Sequence, residues 1–257
     1  MTEPLRITII TVSFNSAATI ADTLESVAAQ HYPSVEHIVV DGASTDGTQD
    51  IVSRHSGRIA HFMSEPDRGV YDAMNKGIAL ATGDVVAFLN SDDVYATSDV
   101  LDRVAQTMVD PDLDACYADL VYVDNLHDER IVRDWRSRDH TPGLCLTGWM
   151  PAHPTFFARR DVYRRFGGFD LEFRLQADYE LMLRLFEKHG IRSRHLPERW
   201  VRMRTGGMSN SSWRNVARGN IEAYRACRKN GYPVTPLFIV RKVASRLPQF
   251  IAARLRH

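Results

Sequence analysis

Val85-Val86-Ala87-Phe88-Leu89-Asn90-Ser91-Asp92-Asp93 is an apolar run that stops abruptly at two adjacent carboxylates. Five apolar residues in succession suit a strand buried on both faces. Residues 7–12 (Ile-Thr-Ile-Ile-Thr-Val) share that character, and residues 37–40 (His-Ile-Val-Val) and 59–63 can form two further strands. Helical patterns separate them. Ser16 is placed to cap a helix running to about Gln30, with Ile20, Leu24 and Val27 on one face. Pro33 ends that stretch, Asp46 is placed to cap a helix through Ile51-Val52, and residues 70–81 read as a helix stopped by Thr82-Gly83. Strands and helices alternating at this spacing require right-handed crossovers and a mostly parallel central sheet, a Rossmann-like α/β architecture. Ligands in such sheets sit at the carboxyl ends of the strands, so chemistry is expected in the turns after Val12, Val40 and Leu89.

Further along, residues 114–160 carry short strand patterns with Tyr117, Tyr122 and Trp135 and a turn near His127-Asp128, which reads as a mixed-sheet extension. Residues 177–189 are amphipathic, with Leu181, Leu185 and Phe186 on the apolar side. After Pro197 the pattern gives a loop rich in Gly and Ser and then two basic helices, roughly residues 212–229 and 236–256. The expected organisation is one α/β domain over residues 1–205 and a basic helical extension over 206–257.

A chain of 257 residues can bury a large core, and its 44% hydrophobic and 25% charged content suits an ordinary globular protein. The net charge of zero hides an asymmetry. From Val201 onward there are twelve Lys/Arg against one acidic residue, Glu222, a net charge of about +11. That distribution suggests a cation site in the first part and an anionic partner for the second, although a solvated Arg-rich helix pair has the same composition. Cys116, Cys145 and Cys227 are odd in number and widely spaced, as in reduced thiols. Residues 1–6 lack signal-peptide character, and no run approaches the roughly 20 apolar residues of a membrane span. A cytoplasmic protein, or one peripheral on the cytoplasmic face of the inner membrane, is expected.

Three segments carry candidate chemistry. Asp92 and Asp93 follow a buried strand and offer the oxygen ligands that Mg²⁺ or Mn²⁺ prefers, although a turn or helix cap uses the same residues. The turn Asp41-Gly42-Ala43-Ser44-Thr45-Asp46-Gly47-Thr48 places a hydrogen-bond acceptor, Asp41, among small residues that allow close approach. Residues 65–77 cluster polar groups at a helix start, where Arg68 can reach an anion and Asn75 and Lys76 fit an ordinary helix surface. Neither a Walker motif nor G-x-G-x-x-G follows the first strand.

In this order, Thr11-Val12-Ser13-Phe14-Asn15, VVDGASTDGT, SEPDRGVYDAMNKGIALATGD and FLNSDD strongly resemble family 2 glycosyltransferases of GT-A fold, particularly bacterial enzymes building O-antigen, capsule or exopolysaccharide. The resemblance spans about residues 5–205. It implies that Thr11, Ser13 and Asn15 line a nucleotide pocket, that Asp41 meets a uracil or ribose, and that Arg68 approaches base or phosphate. The family's D-x-D turn falls on Asn90-Ser91-Asp92, so an Asn stands at the first acidic position and Asp92, assisted by Asp93, must bind most of the metal. The nucleotide turn departs too, with Gly42 at a common second Asp. Gln176-Ala177-Asp178-Tyr179-Glu180 matches the family's base segment with Asp178 at the base position; Glu180 points elsewhere on a helix. His153 matches the acceptor side as a hydrogen-bonding group or a structural histidine, and an isolated Trp149 suits a core position. Arg204, in the loop expected around residues 202–209, is placed to close on a donor diphosphate.

The implied activity is inverting transfer of a sugar from a nucleoside diphosphate sugar, UDP-linked, to an acceptor hydroxyl of a lipid-linked glycan, with Asp178 as base and Mg²⁺ or Mn²⁺ as cofactor. The alternatives are a sugar nucleotidyltransferase, which needs a Gly-rich basic loop that residues 11–18 lack, and a non-catalytic nucleotide-sugar or glycan-binding module. The basic, amphipathic tail suits an anionic bilayer surface, or packing on its own domain or a second subunit. No nucleic-acid motif accompanies it.

Overall fold

The four apolar runs all become parallel strands, each bringing its polar turn to one edge. The computed structural model describes residues 4–124, 130–205, 213–235 and 237–244. Strands β1 (Ile7–Ser13), β2 (Val35–Asp41), β3 (His61–Ser64) and β4 (Val85–Phe88) alternate with helices α1 (Ile20–Ala28), α2 (Thr48–Arg54) and α3 (Val70–Leu80). The remaining elements are β5 (Asp93–Tyr95), α4 (Val100–Met108), β6 (Ala115–Val123), β7 (Ile131–Trp135), β8 (Phe157–Arg159), α5 (Arg160–Phe166), α6 (Ala177–Leu183), β9 (Ser193–Arg204), α7 (Trp213–Lys229) and α8 (Leu237–Ala244). Among the described residues the sheet order is β3-β2-β1-β4-β8-β6-β9-β5, with β7 beside the far half of β6. The first four strands are mutually parallel, whereas β8, β7 and β5 each run antiparallel to their neighbours. This is the mixed extension that the short strand patterns predict.

Period-2 alternation assigns the two faces. Ile10, Val12, Val86 and Phe88 point into a core shared with α3, α5, α6 and α7; Ile7, Ile9, Val85, Ala87 and Leu89 pack with Val27 of α1 and with α4. The chain moves from β1 out to β2 and β3, then returns to the other side of β1 as β4. The carboxyl ends of β1 and β4 therefore flank the crevice where a doubly wound sheet binds ligands.

Several local expectations shift. Helix α1 begins at Ile20 rather than after Ser16; the Ser16 carbonyl accepts Thr19 N–H and Ile20 N–H instead of its side chain capping. Asp46 precedes the N-cap Gly47 of α2 and holds the N–H and hydroxyl of Thr48. The segment after Pro197 is strand through Arg204, not loop. Register shifts between β6 and β9 on either side of Asp119 accommodate the proline, since a bulge spares the ladder the N–H it lacks. Residues 177–189 form α6 and then a π-helical turn over Arg184–Lys188, with Leu181, Leu185 and Phe186 buried as expected. The expected turn at His127-Asp128, the Gly/Ser loop from Gly206, and the second basic helix beyond Ala244 lie outside the described residues.

Glu36, near the start of β2, ties three elements at their amino ends. It is 1% exposed, and its carboxylate accepts the Thr8 hydroxyl at 2.6 Å, the Thr82 N–H at 2.8 Å and the Thr82 hydroxyl at 2.5 Å, with Arg6 at 3.2 Å. Burial pushes its pKa up, but these hydrogen bonds and the Arg6 charge outweigh it and hold the carboxyl below its usual range. Its folded-state pKa is depressed, so its contribution is full above the ordinary carboxylate pKa and is lost as pH falls through the lower folded value. Glu36→Ala should cost about 2–4 kcal/mol in denaturant unfolding at pH 7, with the deficit shrinking in acid. A loss below about 0.5 kcal/mol at pH 7 would show that the network is not stabilising.

Candidate active site

At the crevice, the β1 and β2 turns are laced by side-chain-to-backbone bonds. Asn15, in the left-handed region at φ 49°, gives its N–H to Ser44 Oγ at 2.8 Å, and its Oδ1 accepts Thr45 N–H at 3.0 Å. Ser16 N–H goes to Thr48 Oγ1, Ala17 N–H to Asp46 Oδ2, and Ser91 Oγ meets Ser16 Oγ at 2.8 Å, closing the gap from β1 to β4. Asp41 lies beneath, wholly buried. It accepts the hydroxyls of Ser13, Ser44 and Ser64 and the N–H of Ser44. Each of its oxygens already accepts two hydrogen bonds, so it shapes these loops, and a base or ribose contact would have to displace one of these donors. Thr11 is wholly buried, with Oγ1 3.0 Å from His37 Nε2; it lies below the pocket rather than lining it. Burial pushes His37 down to about 4, keeping that ring neutral.

Gly42 leaves room for a carboxylate that the sequence does not advertise. A Cβ there would fall 2.6 Å from Asp67 Oδ2 and 3.2 Å from the ring of Phe14, which is 65% exposed. The acid missing from the turn is thus matched by Asp67, reaching in from the segment before α3. Arg68 beside it is exposed and paired with Asp72 at 3.0 Å. Asn75 and Lys76 are not a free helix surface: Asn75 exchanges two hydrogen bonds with the Phe169 backbone, and Lys76 binds Glu65 and the Pro66 carbonyl.

The acidic turn is well suited to a cation. Two of its buried oxygens, Asn90 Oδ1 and Asp93 Oδ1, have no hydrogen-bond partner among the described residues, and Asp92 is half-buried beside them. Asp93 opens β5, paired with Met203 of β9, which brings Arg204 to the turn. Arg204 is therefore a strand residue rather than part of a loop. Its Nη2 binds Asp22 Oδ2 at 2.5 Å, while its buried Nη1 has no partner among the described residues. Burial raises the pKa of Asp92 against the opposing pull of its own N–H and the Arg204 charge. Burial, then the Asp92 charge, drive Asp93 well above the carboxylate range despite its Asn90 hydrogen bond and the Arg204 charge. Orphaned hard oxygens and crowded carboxylates are the donor set a divalent cation would relieve. Thr23 supports the turn by donating to the Asp93 carbonyl at 2.8 Å.

Asp178 occupies the first turn of α6 and is half-buried. Its Oδ1 accepts the Tyr71 hydroxyl at 3.1 Å and the Tyr179 N–H at 2.8 Å; among the described residues Oδ2 has no hydrogen bond. Tyr71 is held protonated, its pKa raised by burial and then by the Asp178 charge. Sequence reading missed Tyr71, which sits 107 positions away at the start of α3. Glu180 does point elsewhere, paired with Arg184 at 2.9 Å. His153 stacks on Phe88 with ring centroids 5.5 Å apart, buried and with no partner for its Nε2 among the described residues. Burial lowers its pKa while the Asp178 charge raises it, which places the neutral ring within reach of that carboxylate's field. Trp149 packs on Tyr117 and Phe186, a core position.

The acidic turn makes a stability prediction of its own. Because the Asp93 pKa is raised on folding, metal-free protein loses stability as pH climbs from the ordinary carboxylate value through the higher folded value. Asp93→Asn should therefore raise the unfolding midpoint of metal-free protein at pH 7 by about 2–4 °C while weakening stabilisation by Mn²⁺. An unchanged midpoint would show that the buried carboxylate carries no penalty.

Comparison with known proteins identifies the family and the fold. Residues 8–167 match the model of "Glycosyl transferase family 2". An uncharacterized glycosyltransferase of Mycobacterium tuberculosis is 34% identical over 190 residues, covering 72% of this chain and 70% of the relative. A PGL/p-HBAD biosynthesis glycosyltransferase of Mycobacterium bovis is 32% identical over 191 residues, covering 73% and 72%. Among solved structures, the mannosyltransferase PcManGT from Pyrobaculum calidifontis, in complex with GDP-Man and Mn²⁺, superposes with TM-score 0.69 at 22% identity over 98% of this chain and 74% of its own. Staphylococcus aureus TarS 1–349 with UDP gives 0.66 at 17% over 96% and 72%. The shared fold is GT-A, with its mostly parallel sheet and flanking helices. With the matched model spanning the parallel sheet, the acidic turn and the strand after it, the chain belongs to glycosyltransferase family 2.

Proposed function

We propose that this glycosyltransferase moves a sugar, with inversion, from a UDP-sugar to a hydroxyl of a lipid-linked glycan in cell-surface polysaccharide or glycolipid synthesis. The observation that carries the reading is Asp178: one oxygen is pinned by Tyr71 and Tyr179, and the other is left for a substrate proton. Oδ2 takes the acceptor proton as the acceptor oxygen bonds to the anomeric carbon. The bond from that carbon to the diphosphate breaks on the opposite face, and the nucleoside diphosphate departs. Tyr71 keeps Oδ1 engaged, so the basic lone pair has a fixed direction. Asp92, with Asn90 Oδ1 and Asp93 Oδ1, would hold Mg²⁺ or Mn²⁺, which when bound neutralises charge on the leaving diphosphate. Arg204 offers its Nη1, without a partner among the described residues, to the same phosphates. Metal in the PcManGT complex and UDP in that of TarS support the cofactor and the donor class.

The acceptor reading rests on the tail. No described helix is long and apolar enough to cross a membrane. Yet Val216, Ile221, Leu237 and Val240, four of the seven large hydrophobic side chains that stand exposed among the described residues, lie on α7 and α8, interspersed with exposed Arg218, Arg225 and Arg228. A basic face with apolar residues suits peripheral contact with an anionic leaflet, on the cytoplasmic side of the inner membrane.

Asp178→Asn should lower nucleoside diphosphate release by about 10²–10⁴-fold without weakening donor binding. Near-wild-type turnover would sink the base assignment. Asp92→Asn should abolish the restoration of chelator-stripped activity by Mn²⁺, and activity indifferent to chelator would exclude the metal role. Flotation with vesicles containing phosphatidylserine should fall for an Arg218→Glu/Arg225→Glu protein, and equal flotation would remove the membrane reading.

A further inference from the structure

The basic extension contains one acidic residue, Glu222, and the fold buries it. It is 6% exposed, and its Oε2 accepts the N–H of Leu175 at 2.8 Å and of Gln176 at 3.1 Å. These are the two residues that lead into α6, with Gln176 as its N-cap. The same segment is held at other points by the extension. Lys229 binds Asp170 at 2.5 Å and Glu172 at 2.8 Å, and Asn230 donates to Glu180 at 3.0 Å. Lys242 of α8, 1% exposed, donates to Gln176 Oε1 at 2.6 Å, with its ammonium 5.0 Å from the Tyr179 ring centre. Ala223, Ala226, Cys227 and Phe238 join the main core with Leu181 and Met182.

We propose that the C-terminal extension is a positioning element of the transfer centre, with Glu222 as the positioning residue that sets where α6 begins and hence where Asp178 points. This rests on the reading of Asp178 as the base. The physical reason is the helix start: N–H groups there lack intrahelical partners, and the N-cap residue Gln176 makes no side-chain cap. Glu222 takes the two N–H groups just ahead of the helix, so the chain enters α6 along one fixed path. Asp178 lies two residues later, and a displacement of about 1 Å there moves its carboxylate off the Tyr71 hydroxyl. Both bonds end on a single oxygen, so the requirement is for an acceptor, not for a charge. A carboxamide can meet it and a hydrocarbon cannot.

The test compares Glu222→Gln with Glu222→Leu in the full chain. Nucleoside diphosphate release is followed with whichever of UDP-glucose, UDP-galactose, UDP-N-acetylglucosamine or GDP-mannose gives the largest Mn²⁺-dependent thermal stabilisation. Glu222→Leu should lower kcat about 10–100-fold with donor KM within about twofold, and Glu222→Gln should restore it to within about threefold of wild type. In an Asp178→Asn background, Glu222→Leu should add less than about twofold, because both changes act through one group. Lys242→Met should show the same split of kcat from KM at smaller size, and serves if Glu222→Leu does not fold. Equal kcat for the two Glu222 variants, losses that multiply with Asp178→Asn, or a rise in KM that matches the fall in kcat would each overturn the proposal. Amide hydrogen exchange supplies an arm independent of activity. Residues 172–180 should exchange about tenfold faster in Glu222→Leu while β1, β2 and β4 keep their protection. Unchanged exchange there overturns the positioning role. A wild-type rate in Asp178→Asn alone would instead refute the base reading, leaving the exchange result to be judged separately.

Discussion

The pairing of β1 on both edges is the constraint on which the rest depends. With β2 on one side and β4 on the other, β1 has no free edge, and its seven residues are buried on both faces. The polar chemistry can then emerge only where the strands end. The turn after β1, the Asp41 turn and the acidic turn are brought together because their strands run parallel in adjacent positions, although Ser16 and Ser91 lie 75 residues apart.

Four carboxylates illustrate how this scaffold treats charge. Glu36 and Asp41 are buried and saturated by hydroxyls and N–H groups, so they act as joints between strands and loops. Asp93 is just as buried but retains, beside Asp92, an oxygen without a partner among the described residues. Asp178 is intermediate, with one oxygen committed and the other without a described partner. A buried charge that is fully hydrogen-bonded stabilises its surroundings; one left short of partners is held at a penalty and is suited to a ligand. The difference between joint and site therefore lies in hydrogen-bond supply and not in residue type.

The extension has two faces with separate demands. Its inner face closes the core beneath α6 and supplies Glu222 to the helix entrance, whereas its outer face bears exposed arginines among apolar side chains. Composition reports the charge that the outer face displays among the described residues. It is silent on the inner one, where a single acidic residue is oriented by packing.

The sequence by itself determined the parallel half of the sheet, because continuous β-branched and apolar runs separated by helical periods have few other ways to bury themselves. It also singled out Asp92, Asp178 and the Asp41 turn as candidates, since each belongs to a contiguous motif. It did not reveal that Thr11 lies under the pocket, that Pro197 sits in a bulged strand, or that Arg204 extends from that strand to Asp22. Nor did it reveal Tyr71, Asp67 or Glu222 as neighbours of the site, for these meet their partners across distant segments. Local sequence encodes period and turn chemistry over a few residues. Which side chain fills which hydrogen-bond vacancy is decided only when helices from opposite ends of the chain pack on the same edge of the sheet.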